Sequence, residues 1–256
     1  MRSTLATAAL AAALPLMGGE GTWYLDVHQI RPTLEGAYLG TQDGKAVNFD
    51  LVKDLALAKD GAGPGFAVEY QGPRFGLEAS MESQKYAGLN QIQRDITISG
   101  QDFAAQATVQ SRVKATNYTF NWTIRFMRAP GFWIGVDLGA RGTSIEAEAH
   151  AVNYVFGQKA DATFKSGLPM PQIGPSLGYM SGDRRFSFRG YYHYVGYKGA
   201  TYHHAGGDVR YFPLDWLGVR AFVANESWKV PNGSIKDDLD IKLDRNGAGF
   251  GLVFKF

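Results

Sequence analysis

The stretch Tyr118-Thr119-Phe120-Asn121-Trp122-Thr123-Ile124-Arg125-Phe126, with the turn Arg128-Ala129-Pro130-Gly131 and the segment Phe132 to Arg141 beyond it, decides the fold. Successive side chains of an extended strand point to opposite faces. Tyr118, Phe120, Trp122, Ile124 and Phe126 therefore share one face, while Thr119, Asn121, Thr123 and Arg125 share the other. After the turn, Phe132, Ile134, Val136, Leu138 and Ala140 oppose Gly135, Asp137, Gly139 and Arg141. A soluble sandwich alternates too, but its two faces are core and water. Large apolar residues on one face, with glycines and isolated charges on the other, fit lipid outside and a narrow lumen inside.

The same alternation recurs at Phe66, Val68 and Tyr70, and at Phe75, Leu77, Ala79 and Met81. It continues at Ile173 to Tyr179, Phe186 to Tyr194, Val209 and Tyr211, Leu217 to Val223, and Phe250 to Phe256. Tight turns at 71–74, 128–131, 181–184 and 213–215 alternate with longer polar segments near 84–105, 149–165 and 230–240. Short turns on one side and long loops on the other are the habit of spanning barrels, the short side being periplasmic. Counting back from the C-terminus gives nine strands to Gly65, and a tenth at Ile30 to Leu39 makes the number even. The expected fold is all-β, an antiparallel up-and-down transmembrane β-barrel of about ten strands, with eight or twelve also compatible. Ala46 to Lys59 is ambiguous: Phe49, Leu51, Leu55 and Leu57 fit a strand, and Val47, Leu51 and Leu55 a helical face.

Arg2 precedes an apolar run from Leu5 to Met17, followed by small residues at Gly19 and Gly21. This reads as a secretory signal over residues 1–21, leaving 22–256 as a single barrel domain. The run is shorter than the ~20 residues a spanning helix needs, and no later stretch approaches that length. A closed barrel is the remaining way for the rest of the chain to span a bilayer. Composition agrees, with 32 Gly and 34 aromatic residues among 256, and no Cys for disulfides or thiolate-bound metal. A formal net charge of +2 gives no footing for nucleic acid.

Gly249-Phe250-Gly251-Leu252-Val253-Phe254-Lys255-Phe256 resembles the terminal signal of Gram-negative outer-membrane β-barrels. Gly251 stands five places before the final aromatic Phe256 and Phe254 two before it; Gly249 stands where the family usually has a polar residue. The resemblance implies a bacterial outer membrane, lipid around the barrel, and insertion by the barrel assembly machinery. It does not select a role, since such barrels serve as structural proteins, narrow pores, adhesins and lipid-modifying enzymes alike.

Parity places Glu69, Glu78, Glu82, Arg125, Asp137, Arg141, Arg189, His193, Asp208, Arg210, Arg220 and Glu226 on the lumen face. Opposite charges in a low-dielectric interior need partners, so a lumen cross-braced by ion pairs is expected. A hairpin centred on Leu214 sets Asp208 directly across from Arg220. These charges read either as a solute-selecting constriction or as the filling of the interior, the simpler reading.

For catalysis the five histidines are the candidates. His203 and His204 are adjacent and point to opposite faces, so no metal site with an identifiable third ligand results. His193 lies six residues from Ser187, roughly 20 Å along a strand. His204 with Asp208 is the best remaining pair. No catalytic residue, metal or cofactor is therefore assigned, and no ligand is indicated. The expected role is structural or narrowly porin-like with a charge-filled lumen; a lipid-modifying enzyme and a loop-based adhesin or receptor are the alternatives. Phe126, Phe132, Trp133, Tyr211, Phe212 and Trp216, beside the short turns, are expected to form an interfacial girdle.

Overall fold

A computed structural model describes residues 21–58, 61–152, 161–234 and 238–256. The expected signal segment lies outside them except for Gly21. Ten strands form an antiparallel ring: β1 (Thr22–Gln42), β3 (Gly63–Gln71), β4 (Phe75–Gln91), β7 (Thr108–Ala129), β8 (Phe132–Ala151), β9 (Asp161–Met180), β10 (Phe186–Tyr197), β11 (Ala200–Tyr211), β12 (Leu217–Val230) and β13 (Leu239–Lys255). Each pairs with the next in this order, and β13 closes onto β1 from Tyr24↔Lys255 to Gly40↔Leu239. The expected ten-stranded barrel is the architecture observed, with its first strand beginning at Thr22 rather than Ile30.

Three short strands lie outside the ring. The inner half of β1 pairs with β3, but its outer half, Ala37 to Gln42, pairs with β2 (Lys45–Asp50). β2 touches β5 (Ile96–Ile98) at Asn48↔Thr97, and β5 forms a hairpin with β6 (Gln101–Phe103). Of the segment 46–59, Ala46 to Ala58 is part strand and part tight turn, since the helical face read there ends in a turn capped by Asp50, whose carboxylate accepts from the Val52 and Lys53 amides, and Lys59 lies outside the described residues. The segment 84–105, expected as a polar loop, instead continues β4 to Gln91 and then supplies β5 and β6. β8 and β9 extend into the expected loop 149–165, and its middle, 153–160, lies outside the described residues.

At the other end the connections are tight. Gly131 takes φ 75°, open to glycine, and a Cβ there would stand 2.5 Å from the Met180 carbonyl. In the turn at 181–185, the Asp183 carboxylate accepts from the Ser181 hydroxyl at 2.5 Å and the Arg185 amide at 3.1 Å, which holds its pKa below the usual range.

The outer surface has two zones. From the short turns upward the outward residues are apolar: Phe132 to Ala140 on β8, Tyr118 to Ile124 on β7, Ala248 to Phe254 on β13. About nine residues of each strand at ~3.4 Å rise and ~40° tilt give a band of roughly 20–25 Å, the height of a hydrocarbon core. Above it the outward residues turn polar: Ser144, Glu146 and Glu148 on β8, Thr116, Lys114 and Arg112 on β7, Asn246, Asp244 and Lys242 on β13.

The interior changes in the opposite sense. Above the band, Leu34, Tyr38, Val113, Ala147, Phe164, Trp228 and Leu243 face inward and pack with Val47, Phe49, Leu51, Leu55, Ile92, Ile96 and Phe103 from the β2–β5–β6 region. Phe49 contacts Tyr38 of β1 and Phe164 of β9 at 5.4 and 5.3 Å between ring centroids, so the insertion reaches across the outer mouth. The Ser99 hydroxyl donates to the Thr163 carbonyl and Gln42 to the Lys165 carbonyl, both at 2.8 Å, fastening it to β9. Arg94 pairs with Asp54 at 2.5 Å and donates to Asn48, tying the β4–β5 connection to the β2 side. The expectation of apolar residues outside and charges inside holds for the lower part of the barrel and reverses above it.

Candidate functional site

The lumen inside the apolar band is the polar site of the molecule, arranged in tiers. Nearest the short turns, Arg210 of β11 bridges Glu69 of β3 at 2.6 Å and Asp208 of its own strand at 2.7 Å. Arg220 of β12 binds Asp26 of β1 at 2.8 Å and Asp208 at 3.4 Å. One level across, Arg189 of β10 pairs with Glu78 of β4 at 2.7 Å and with Asp137 of β8 at 2.8 Å. Asp137 is fully buried and accepts also from Thr123, Ser176 and His193 at 2.7, 2.8 and 3.0 Å.

In the highest tier, Glu226 binds both Arg141 and Arg245, and Glu82 binds Arg245 at 2.6 Å. His28 donates from Nδ1 to Asp26 at 2.6 Å and stands 3.6 Å from Glu82, joining the tiers. Tyr202 donates to Glu226 at 3.0 Å and receives a hydrogen bond from Gln172 at 2.9 Å. Gln172 also donates to His204 Nδ1 at 3.0 Å, which leaves His204 Nε2 to donate to Tyr191 at 3.1 Å.

These groups leave a cavity of about 40 Å³ between His28, Glu82, Arg141, Tyr191 and Arg220. That is room for a few water molecules. Directly above it begins the apolar cluster, with Tyr202 belonging to both. Chemically the arrangement holds multiple charges in fixed, mutually neutralising geometry, with two or more donors around Asp26, Glu69, Asp137, Asp208 and Glu226.

All of Glu69, Glu78, Arg125, Asp137, Arg141, Arg189, Asp208, Arg210 and Arg220 lie on the lumen side. Asp208 does not lie directly across from Arg220. The β11–β12 turn is centred on Asp215, one residue beyond Leu214, which sets Arg210 opposite Arg220 and Asp208 opposite Phe222, so the ion pair is diagonal. Arg125 binds no carboxylate among the described residues: it donates to the Gly72 carbonyl at 2.9 Å and lies over the Trp133 ring at 4.5 Å. Trp133 and Phe212 leave the expected girdle. Trp133 lines the inner mouth, and Phe212 is buried against Tyr24 and Val253.

Asp26, His28 and Arg245 escaped the sequence reading. Period two run back from Ile30 finds the first two, alternating with Leu25 and Val27, and run back from Gly251 finds Arg245. His204 and Asp208 line one cavity without touching, because Gln172 and Tyr191 hold the imidazole while Arg210 and Arg220 hold the carboxylate. His203 points outward against Tyr192 and Tyr194.

At the C-terminus, Gly251 lies between His28 and Arg220. A Cβ there would come within 2.5 Å of the His28 side chain. Phe254 and Phe256 follow on the outer wall and rim.

No protein-family model and no curated protein matches the sequence. Among solved structures, the outer membrane protease OmpT from Escherichia coli superposes with a TM-score of 0.56, covering 94% of this chain and 98% of its own at 13% identity. Ail, the attachment invasion locus protein of Yersinia pestis, gives a TM-score of 0.39 at 13% identity, covering 93% of this chain and 100% of its own. Ring closure, strand number and band height, together with the first of these likenesses, make the fold that of a Gram-negative outer-membrane β-barrel.

Proposed function

We propose that the chain is a closed, structural barrel of the bacterial outer membrane, exported through its N-terminal signal and inserted by the barrel assembly machinery through Gly251, Phe254 and Phe256. One observation carries this reading. The outer mouth is filled by a dry apolar cluster, and the ion-paired band beneath it leaves about 40 Å³ of space. A pore needs a continuous wet path, and a lumen neutralised pair by pair serves stability and a single register. The lumen charges act here as cross-braces, and the narrowly porin-like role is the competing possibility.

Conductance of the refolded protein in a planar bilayer tests the proposal, with heat-shifted gel mobility confirming a folded barrel. The expected result is silence from folded protein; steady, ion-selective steps would overturn it in favour of a narrow pore. A second reading is favoured by the outer extension, whose polar wall stands clear of the apolar band. There the barrel serves as a rigid stand for binding at its outer end. Replacing the β5–β6 hairpin tip should then abolish binding while gel mobility stays unchanged.

A further inference from the structure

The short-turn mouth holds a feature that the closed lumen does not use. A cavity of about 660 Å³, open to solvent, is lined by Arg125, Arg128 and Arg184 together with Gln71, Gly72 and Tyr24, and among the described residues by no acidic side chain. Two local devices aim these arginines. A β-bulge between Arg125 and Met127 inserts one extra residue into β7, so that Arg128 returns to the inward phase, opposite Trp133, instead of facing lipid. Arg184 sits in the tight turn after β9, whose own carboxylate, Asp183, is bound to Ser181 and the Arg185 amide.

The contrast with the lumen is chemical. Arg141, Arg189, Arg210, Arg220 and Arg245 each have one or more carboxylates within 4 Å. Arg125, on the wall of the mouth, has a carbonyl and an indole face in their place. The nearest lumen acid on this side, Glu69, is already held by Arg210 and Gln71. Arg74, Arg185 and Lys255 add positive charge around the same rim, against Asp183 and Asp215.

We infer that this mouth is a binding site for a phosphate group carried on a larger body. Three guanidinium forks around one concave space match the oxygens of a phosphate, which accepts paired hydrogen bonds from planar donors. The volume exceeds that of a bare phosphate ion, which points to a phosphorylated solute or to the headgroup of an anionic lipid. The inference stands apart from the closed-barrel reading, because the site opens at the mouth and needs no path through the lumen.

Calorimetric titration of inorganic pyrophosphate into the full barrel, folded in zwitterionic detergent, is the first arm of the test. The second is native mass spectrometry comparing retention of phosphatidylglycerol with that of phosphatidylcholine. Saturable pyrophosphate binding that weakens with added salt and falls about tenfold in Arg128→Gln and again in Arg184→Gln assigns a soluble phosphorylated ligand. Pyrophosphate silence with selective phosphatidylglycerol retention, lost in the same variants, assigns a lipid headgroup. Arg125→Gln is expected to weaken binding most, and the two more exposed variants keep the test valid should that one fail to fold. Arg112→Gln, exposed on the outer wall of β7 above the apolar band, is the control expected to bind normally. Binding of neither probe, or binding that ignores Arg128 and Arg184, overturns the inference.

Discussion

The two halves of the barrel solve the same backbone problem with opposite side-chain patterns. In the lower half Phe120 and Leu138 face outward while Asp137 and Arg189 face inward; in the upper half Glu148 and Lys114 face outward while Ala147 and Trp228 face inward. β7, β8 and β13 run from one half into the other without a break, so the reversal belongs to the solvent rather than to the fold. Lipid outside requires an apolar wall and permits a polar interior, whereas water outside requires a polar wall and rewards a dry core. The lower half is a membrane barrel, and the upper half is patterned like a soluble one with β2, β5 and β6 as its filling.

This contrast predicts different sensitivities at equivalent positions. The largest effect is expected from Glu226→Leu, which leaves Arg141 and Arg245 facing each other inside the lower half. Loss of one partner from a buried ionic group costs about 3–5 kcal/mol, read as a fall in the urea midpoint of the folded, heat-shiftable form. Next comes Leu51→Ala in the upper cluster, at about 2–4 kcal/mol. Its damage should stay local, with faster hydrogen exchange in β2 and β5 and normal protection of β8 within the apolar band.

A matched pair of lysines compares the two outer walls directly. Phe120→Lys, on the lipid side, is expected to cost about 2–4 kcal/mol, and Ser144→Lys, on the wet side of the adjacent strand, close to nothing. Equal costs at both positions would break the two-solvent account. The smallest measurable loss belongs to Arg94→Ala. The half-exposed pair with Asp54 is worth up to about 1 kcal/mol, and protease access to the β4–β5 connection should rise with little change in overall stability.

Much of the lower half was legible because lipid makes period two unambiguous. Wherever large outward residues ran without interruption, as from Tyr118 to Ile124, parity assigned the inward Thr123 and the facing Asp137 together. The upper half was hidden by its reversal. Ser83 and Lys85 do not continue the apolar outward face of Phe75 to Met81, so the strand reads as ending where only its solvent has changed. Partners across the lumen were beyond reach for another reason: strand register depends on where each turn is centred, and one residue at Asp215 moved Asp208 from a direct to a diagonal neighbour of Arg220. Arg128 needed the bulge beside Phe126, and an alternating pattern carries no mark of an inserted residue.

The seam between β1 and β13 sets how the chain can come to be folded at all. Tyr24 meets Lys255 and Gly40 meets Leu239, contacts between the two ends of the sequence, so the pairing that removes the last open strand edges is also the most non-local one. Such contacts form slowly, because the intervening chain must be ordered first. Until they form, both edge strands can pair with other chains. Losing either terminal strand would therefore not give a smaller barrel; it would give a curved sheet with two exposed edges. The speed of closure at this seam thus sets how long the nascent protein is prone to aggregate.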